Sequence, residues 1–152
     1  MPGPLIYWDD LEVGRVFDLG SVAFDEESIV AFAREFDPQP FHVDRAAAEA
    51  SMFGTIIASG WHTCSAVMRL TVDRYLNPEV SLGSPGMDEV RWPRPVRAGD
   101  TIAATLRCVD KRPSATRPFM GLVWNEWEAR NGDGDVVLTM RGMGLFRRRP
   151  AV

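Results

Sequence analysis

Apolar and polar positions alternate, imperfectly, over residues 16–24, which predicts a first strand after a turn at Val13-Gly14. The period then changes. Ile29, Phe32, Ala33 and Phe36 fall at helical spacing, Asp25 fits an N-cap, and Glu26 and Glu27 favour the first turn. Pro38 disfavours helical geometry at Asp37, so this helix stops near Phe36. Asp44 fits as the cap of a short alanine-rich helix over residues 45–51, broken by Phe53-Gly54. Residues 59–76 read as one long helix, capped by Ser59 and ended by Asn77-Pro78; that length spans about 27 Å. Its apolar positions spread around most of the circumference until Arg69, which predicts a largely buried helix. Beyond a loop over residues 77–87 the pattern is β, with strands over 87–94, 101–110, 119–130 and 136–148. Asn131-Gly132-Asp133-Gly134 is a hairpin signal between the last two.

This order predicts a single α+β domain over residues 1–152, a curved antiparallel sheet wrapped around one long central helix. An exposed edge or face of such a sheet invites a second copy, so a homodimer or higher homo-oligomer is expected. Composition narrows the function classes. A net charge of −4 gives no electrostatic case for nucleic acid. The one basic run, Arg147-Arg148-Arg149, reads as a solvated tail. Two cysteines without a CxxC pattern and two histidines make a zinc site unexpected, and nothing requires a disulfide. The first ten residues carry no signal-peptide pattern, and no stretch approaches the roughly 20 apolar residues that span a bilayer. A soluble, cytoplasmic protein is expected, without membrane partners.

The candidate chemistry sits in Asp37-Pro38-Gln39-Pro40-Phe41-His42, followed by Ser59-Gly60. Two prolines stiffen a turn that carries a carboxylate and an imidazole. Taken singly, Asp37 reads as a turn cap and His42 as a core histidine. Together on one locked turn they read as an acid–base pair. Gly60, where the long helix begins, offers a backbone N–H to a developing oxyanion. Ser59 reads as a cap, since no Gly-x-Ser-x-Gly setting surrounds it. His62 reads as structural. Trp61, Trp92, Trp124 and Trp127 read first as core or dimer packing.

These residues resemble the MaoC-type, (R)-specific enoyl-CoA hydratase family of hot-dog folds. Asp37 to His42 is similar to its Asp-x-Asn-Pro-x-His motif, with Gln39 in the Asn position and Asp44 following. Phe53, Ile56-Ile57 and Ala58-Ser59-Gly60 match its step into the central helix, Ser59 standing where many members have His. Pro95-Val96-Arg97-Ala98-Gly99-Asp100-Thr101 is similar to its Pro-Val-x-x-Gly-Asp-Thr element, and Asn131-Gly132 to its penultimate hairpin. The resemblance implies syn hydration of a 2-enoyl-CoA, or dehydration of a 3-hydroxyacyl-CoA. Asp37 and His42 would hold a water, and Gly60 N–H would take the thioester oxygen. Ser59, Gln39, Phe41 and Phe53 would complete the substrate site. No metal or cofactor is implied beyond the coenzyme A of the substrate. Three other readings remain at this level. One is a thioesterase of the same fold, for which residues 59–76 offer only Asp73 as an acid. Another is a non-catalytic acyl-CoA-binding dimer. The third is a short branched or dicarboxylic substrate met by Arg94 or Arg97.

Overall fold

Strict alternation builds the middle of the sheet. The structure, a computed structural model, describes residues 2–151. In β3 (Thr101–Pro113) Ile102, Ala104, Leu106 and Cys108 are buried while Thr101, Ala103, Thr105 and Arg107 face out. That is the period of a sheet with one packed face. β4 (Met120–Arg130) and β5 (Val136–Arg147) follow antiparallel. β1 (Val16–Ala23) pairs with the free side of β3, and β2 (Gly86–Arg91) with the free side of β5. The order is β1-β3-β4-β5-β2, an open sheet with β1 and β2 at its edges. Alternation in β1 is imperfect because the register shifts between Asp18 and Gly20. Gly20 sits at φ 82° and its N–H donates to Asp18 Oδ1 at 2.8 Å, a bulge that glycine tolerates. The predicted hairpin forms: Gly134 N–H donates to Asn131 O at 3.0 Å, with Gly134 at φ 83°.

Four helices precede or cross the sheet. Asp25 opens α1 (Glu26–Phe36) by accepting from Ser28 N–H at 2.7 Å, and Ile29 and Ala33 face the core. α2 (Pro40–Val43) is a single turn. Asp44 opens α3 (Arg45–Ala50) by accepting from Ala47 N–H at 3.0 Å. Ser59 opens α4 (Gly60–Arg74), its hydroxyl accepting from Trp61 N–H at 3.3 Å. α4 lies against the concave face, with fully buried Val67 joining Leu19, Ile102, Leu106, Val123 and Leu138 in the core.

Two expectations are corrected here. α4 is shorter than residues 59–76 and is not largely buried: only Thr63, Val67 and Thr71 are enclosed, along one stripe. Trp61, Met68 and Val72 are 59%, 47% and 41% exposed. An open sheet reaches one side of a cylinder, so the apolar residues on the other side stay uncovered. The arginine run is solvated, with Arg147 and Arg149 exposed, but it is anchored rather than a free tail. Arg149 N–H donates to Asp9 Oδ2 and its guanidinium to Asp10 Oδ1, both at 2.5 Å, while Arg148 lies over the Trp8 ring at 5.1 Å. The chain end is thereby tied to its beginning. Among the described residues, no helix is long and apolar enough to cross a membrane.

Candidate active site

The Asp37–His42 motif is half cap, half helix. Asp37 ends α1 with φ −152° and ψ 67°, still donating its N–H to Ala33 O at 2.8 Å. Gln39 N–H then donates to Asp37 O, and Pro40 starts α2 at the position where a missing N–H costs nothing. The predicted stiff turn is therefore stiffer than a loop: His42 stands on a helical turn, its N–H donating to Gln39 O at 2.9 Å.

His42 is 5% exposed, with Nε2 3.3 Å from Asp37 Oδ2. Its Nδ1 lies 2.6 Å from Ile57 O. A carbonyl can only accept, so Nδ1 carries a proton and Nε2 is the nitrogen that faces Asp37. The Ile57 carbonyl is itself held. Ile57 N–H donates to Phe41 O, and Ala58 N–H and Ala98 N–H stitch residues 56–58 to 96–98 at 2.8 and 3.1 Å. Gln39 Nε2 donates to Asp37 Oδ1 at 2.7 Å. Burial pushes the Asp37 carboxyl up, but hydrogen bonds from Gln39 and Ser59 and the neighbouring His42 outweigh it, leaving it below the usual carboxylate range. Asp37 is a carboxylate at neutral pH, within reach of the His42 ring.

Gly60 is the first residue of α4, so its N–H is one of the amides a helix cannot pair, at the positive end of the helix dipole. It borders a cleft of about 360 Å³ that also presents Asp37, Gln39, His42 and Phe53. Two proposed site residues lie behind this wall rather than in it. Phe41 packs edge-on against His42 at 4.5 Å and reaches Phe53 at 5.3 Å. Ser59 is fully buried, serving the α4 cap and Asp37; such a cap contributes about 1 kcal/mol.

Two cleft residues were not legible as such. Trp92 and Trp61, expected as core or dimer packing, line the cleft and meet edge to face at 5.2 Å. A Cβ on Gly60 would run into the Trp92 ring, so close approach of this indole is one reason for the glycine. Arg94 also lines the cleft, 3.8 Å from Asp135, whereas Arg97 donates to Phe53 O at 2.9 Å. Nothing in linear spacing joins Trp92 to Gly60, because the contact crosses from the β2 end to a helix start.

His62 stays outside the cleft, stacked on Phe32 at 4.8 Å and against Phe24 at 4.7 Å. Burial pushes its pKa down, with Asp25 opposing. A base whose folded value lies below the unfolded value of about 6.5 binds fewer protons folded than unfolded between the two. Stability therefore falls as pH drops from about 6.5 toward the folded value, then levels. Urea titrations across this range should show that slope in the wild type and lose it in His62→Gln; an unchanged slope would assign it to other groups.

Residues 10–122 match the family described as MaoC like domain. The chain is similar to the MaoC-like dehydratase from Rhodospirillum rubrum, 37% identical over 96% of this chain and 99% of that one, with a TM-score of 0.88. It is 37% identical over 90 residues to 3-hydroxyacyl-thioester dehydratase Z of Mycobacterium tuberculosis, matching 58% of this chain and 60% of that protein. The R-hydratase PhaJ1 from Pseudomonas aeruginosa shares the fold, with a TM-score of 0.78 at 23% identity over 95% of this chain and 87% of that one. With an open hot-dog sheet around α4 and a family match covering most of its length, this chain belongs to the MaoC-like dehydratase family.

Proposed function

We propose that the protein is a hydro-lyase acting on coenzyme A thioesters, adding water across the double bond of a 2-enoyl-CoA or removing it from a 3-hydroxyacyl-CoA. The observation that carries this reading is the Asp37–His42 pair, 3.3 Å apart, with its tautomer set by Ile57 and facing the cleft that Gly60 borders. In hydration, the pair takes one proton from a bound water as the water oxygen bonds to the β-carbon. The π electrons move toward the thioester carbonyl, whose oxygen gains negative charge beside Gly60 N–H. The α-carbon then receives a proton from the pair, on the face the water attacked. Protons balance, and neither residue ends changed.

The thioesterase reading is disfavoured by the one acid on α4. Asp73 lies near the far end of the helix and pairs with Arg69 at 3.0 Å. The unpaired outer edge of β2 supports a homodimer; sedimentation equilibrium giving one chain per particle would overturn it.

Crotonyl-CoA is the test substrate. Loss of enoyl absorbance without thiol release is expected from the wild type. Thiol release without hydration would establish the thioesterase, and binding without either would establish a non-catalytic acyl-CoA protein.

A further inference from the structure

Gly60, Cys64, Met68, Thr71 and Tyr75 recur every three or four residues and so lie one above another on a single face of α4. The catalytic cleft occupies the Gly60 end of this stripe. A second cavity of about 360 Å³ occupies the rest, walled by Cys64, Met68, Thr71 and Tyr75 with Trp127 and Phe146 opposite. It is predominantly apolar, and it holds no part of the Asp37–His42 pair. The two cavities share no lining residue, and the indole of Trp92 touches one residue of each, Gly60 of the cleft and Cys64 of the groove. Its Nε1–H donates to Gly60 O at 3.0 Å, its ring fills the space a Cβ on Gly60 would need, and it lies beside the Cys64 thiol. Trp61 packs against it at an interplanar angle of 81°, and Pro93 restrains the following backbone.

Resting on the hydratase reading above, we infer that Trp92 is the residue that sets acyl-chain length: it partitions the cleft from the apolar groove and restricts the wild-type enzyme to short acyl groups. A thioester whose oxygen faces Gly60 N–H and whose chain follows the α4 stripe meets the indole before it reaches Met68. The indole is held by a hydrogen bond, a helix face and a second tryptophan, so displacing it breaks all three contacts. With Trp92 cut back, the cleft and groove become one passage, running about 16 Å along the helix from Gly60 to Thr71. That passage suits an extended aliphatic chain.

The test compares kcat/KM for crotonyl-CoA and trans-dodec-2-enoyl-CoA. The ratio of the two cancels any damage to the shared chemistry. Wild type should favour crotonyl-CoA by roughly tenfold or more, and Trp92→Ala should reverse that preference. Trp92→Phe, which keeps a ring and guards against a folding artefact, should keep the short-chain preference. Adding Met68→Trp to Trp92→Ala refills the groove and should cancel the long-chain gain. Equal use of both substrates by wild type, or the same ratio in Trp92→Ala, overturns the inference while leaving the hydratase reading intact. Calorimetric binding of butyryl-CoA and dodecanoyl-CoA to the same proteins gives a second readout, independent of turnover. Binding of neither thioester to any of them overturns this inference together with the reading it rests on.

Discussion

Asp37→Asn is expected to lower crotonyl-CoA hydration by about 10²–10⁴-fold, and His42→Ala by a similar factor. The asparagine keeps the shape of the site and can still accept from Gln39. Its amide nitrogen, however, faces His42 Nε2 across the present 3.3 Å gap and donates to it. A donor there occupies the lone pair that must take and return a proton, so the coupled unit stops working while the fold persists. His42→Ala removes the carrier itself and also leaves the Ile57 carbonyl without its partner. The double variant should be little worse than either single one, the result expected of two residues that act as a unit. Steady-state rates for the three variants, with thermal melts beside them, check this. Turnover within tenfold of wild type in either single variant would remove the pair from the mechanism.

Gly60→Ala is expected to cost both stability and rate. Two effects oppose each other. Alanine is the better helix former by about 1 kcal/mol. Against this, its methyl group meets the Trp92 ring, whose N–H is bonded to the same residue's carbonyl, so the ring cannot step aside without losing that bond. Overpacking of this kind costs about 1–3 kcal/mol, and the clash should win. Shifting the first turn of α4 also moves the Gly60 N–H, and displacing one oxyanion donor costs about 10²–10³ in kcat. The sign of the melting change decides between roles. A rise in Tm would make Gly60 an ordinary helix-entry residue. A fall that is relieved when Trp92→Ala is added would assign the glycine to its contact with the indole.

Much of this architecture was legible because it is local. Asp25, Asp44 and Ser59 each open the helix that follows them, since a short polar side chain can reach an amide two or three residues ahead. The β3 strand announces its buried face by simple alternation, and Asn131 to Gly134 announce their turn. The catalytic candidates were legible for the same reason: Asp37, Gln39 and His42 lie within one short segment whose backbone is restrained by two prolines. Phe41 and Ser59 show the limit of that logic, because adjacency in sequence does not say which side of a helical turn opens on the cleft.

What resisted reading depends on distant partners. The apolar residues of α4 predicted burial, yet Trp61, Met68 and Val72 stay uncovered because coverage depends on how far an open sheet curves. The arginine run pairs with Asp9 and Asp10 at the other end of the chain, which composition could not indicate. The sequence by itself determined the elements, their caps and the juxtaposition of Asp37 with His42, because each is decided by side chains a few bonds away. Only the tertiary structure decided that Ile57 sets the His42 tautomer, that Trp92 closes over Gly60, and that a separate apolar groove continues along α4. Those contacts join segments brought together by sheet curvature and helix docking, and side-chain packing across such distances leaves no periodic trace in the chain.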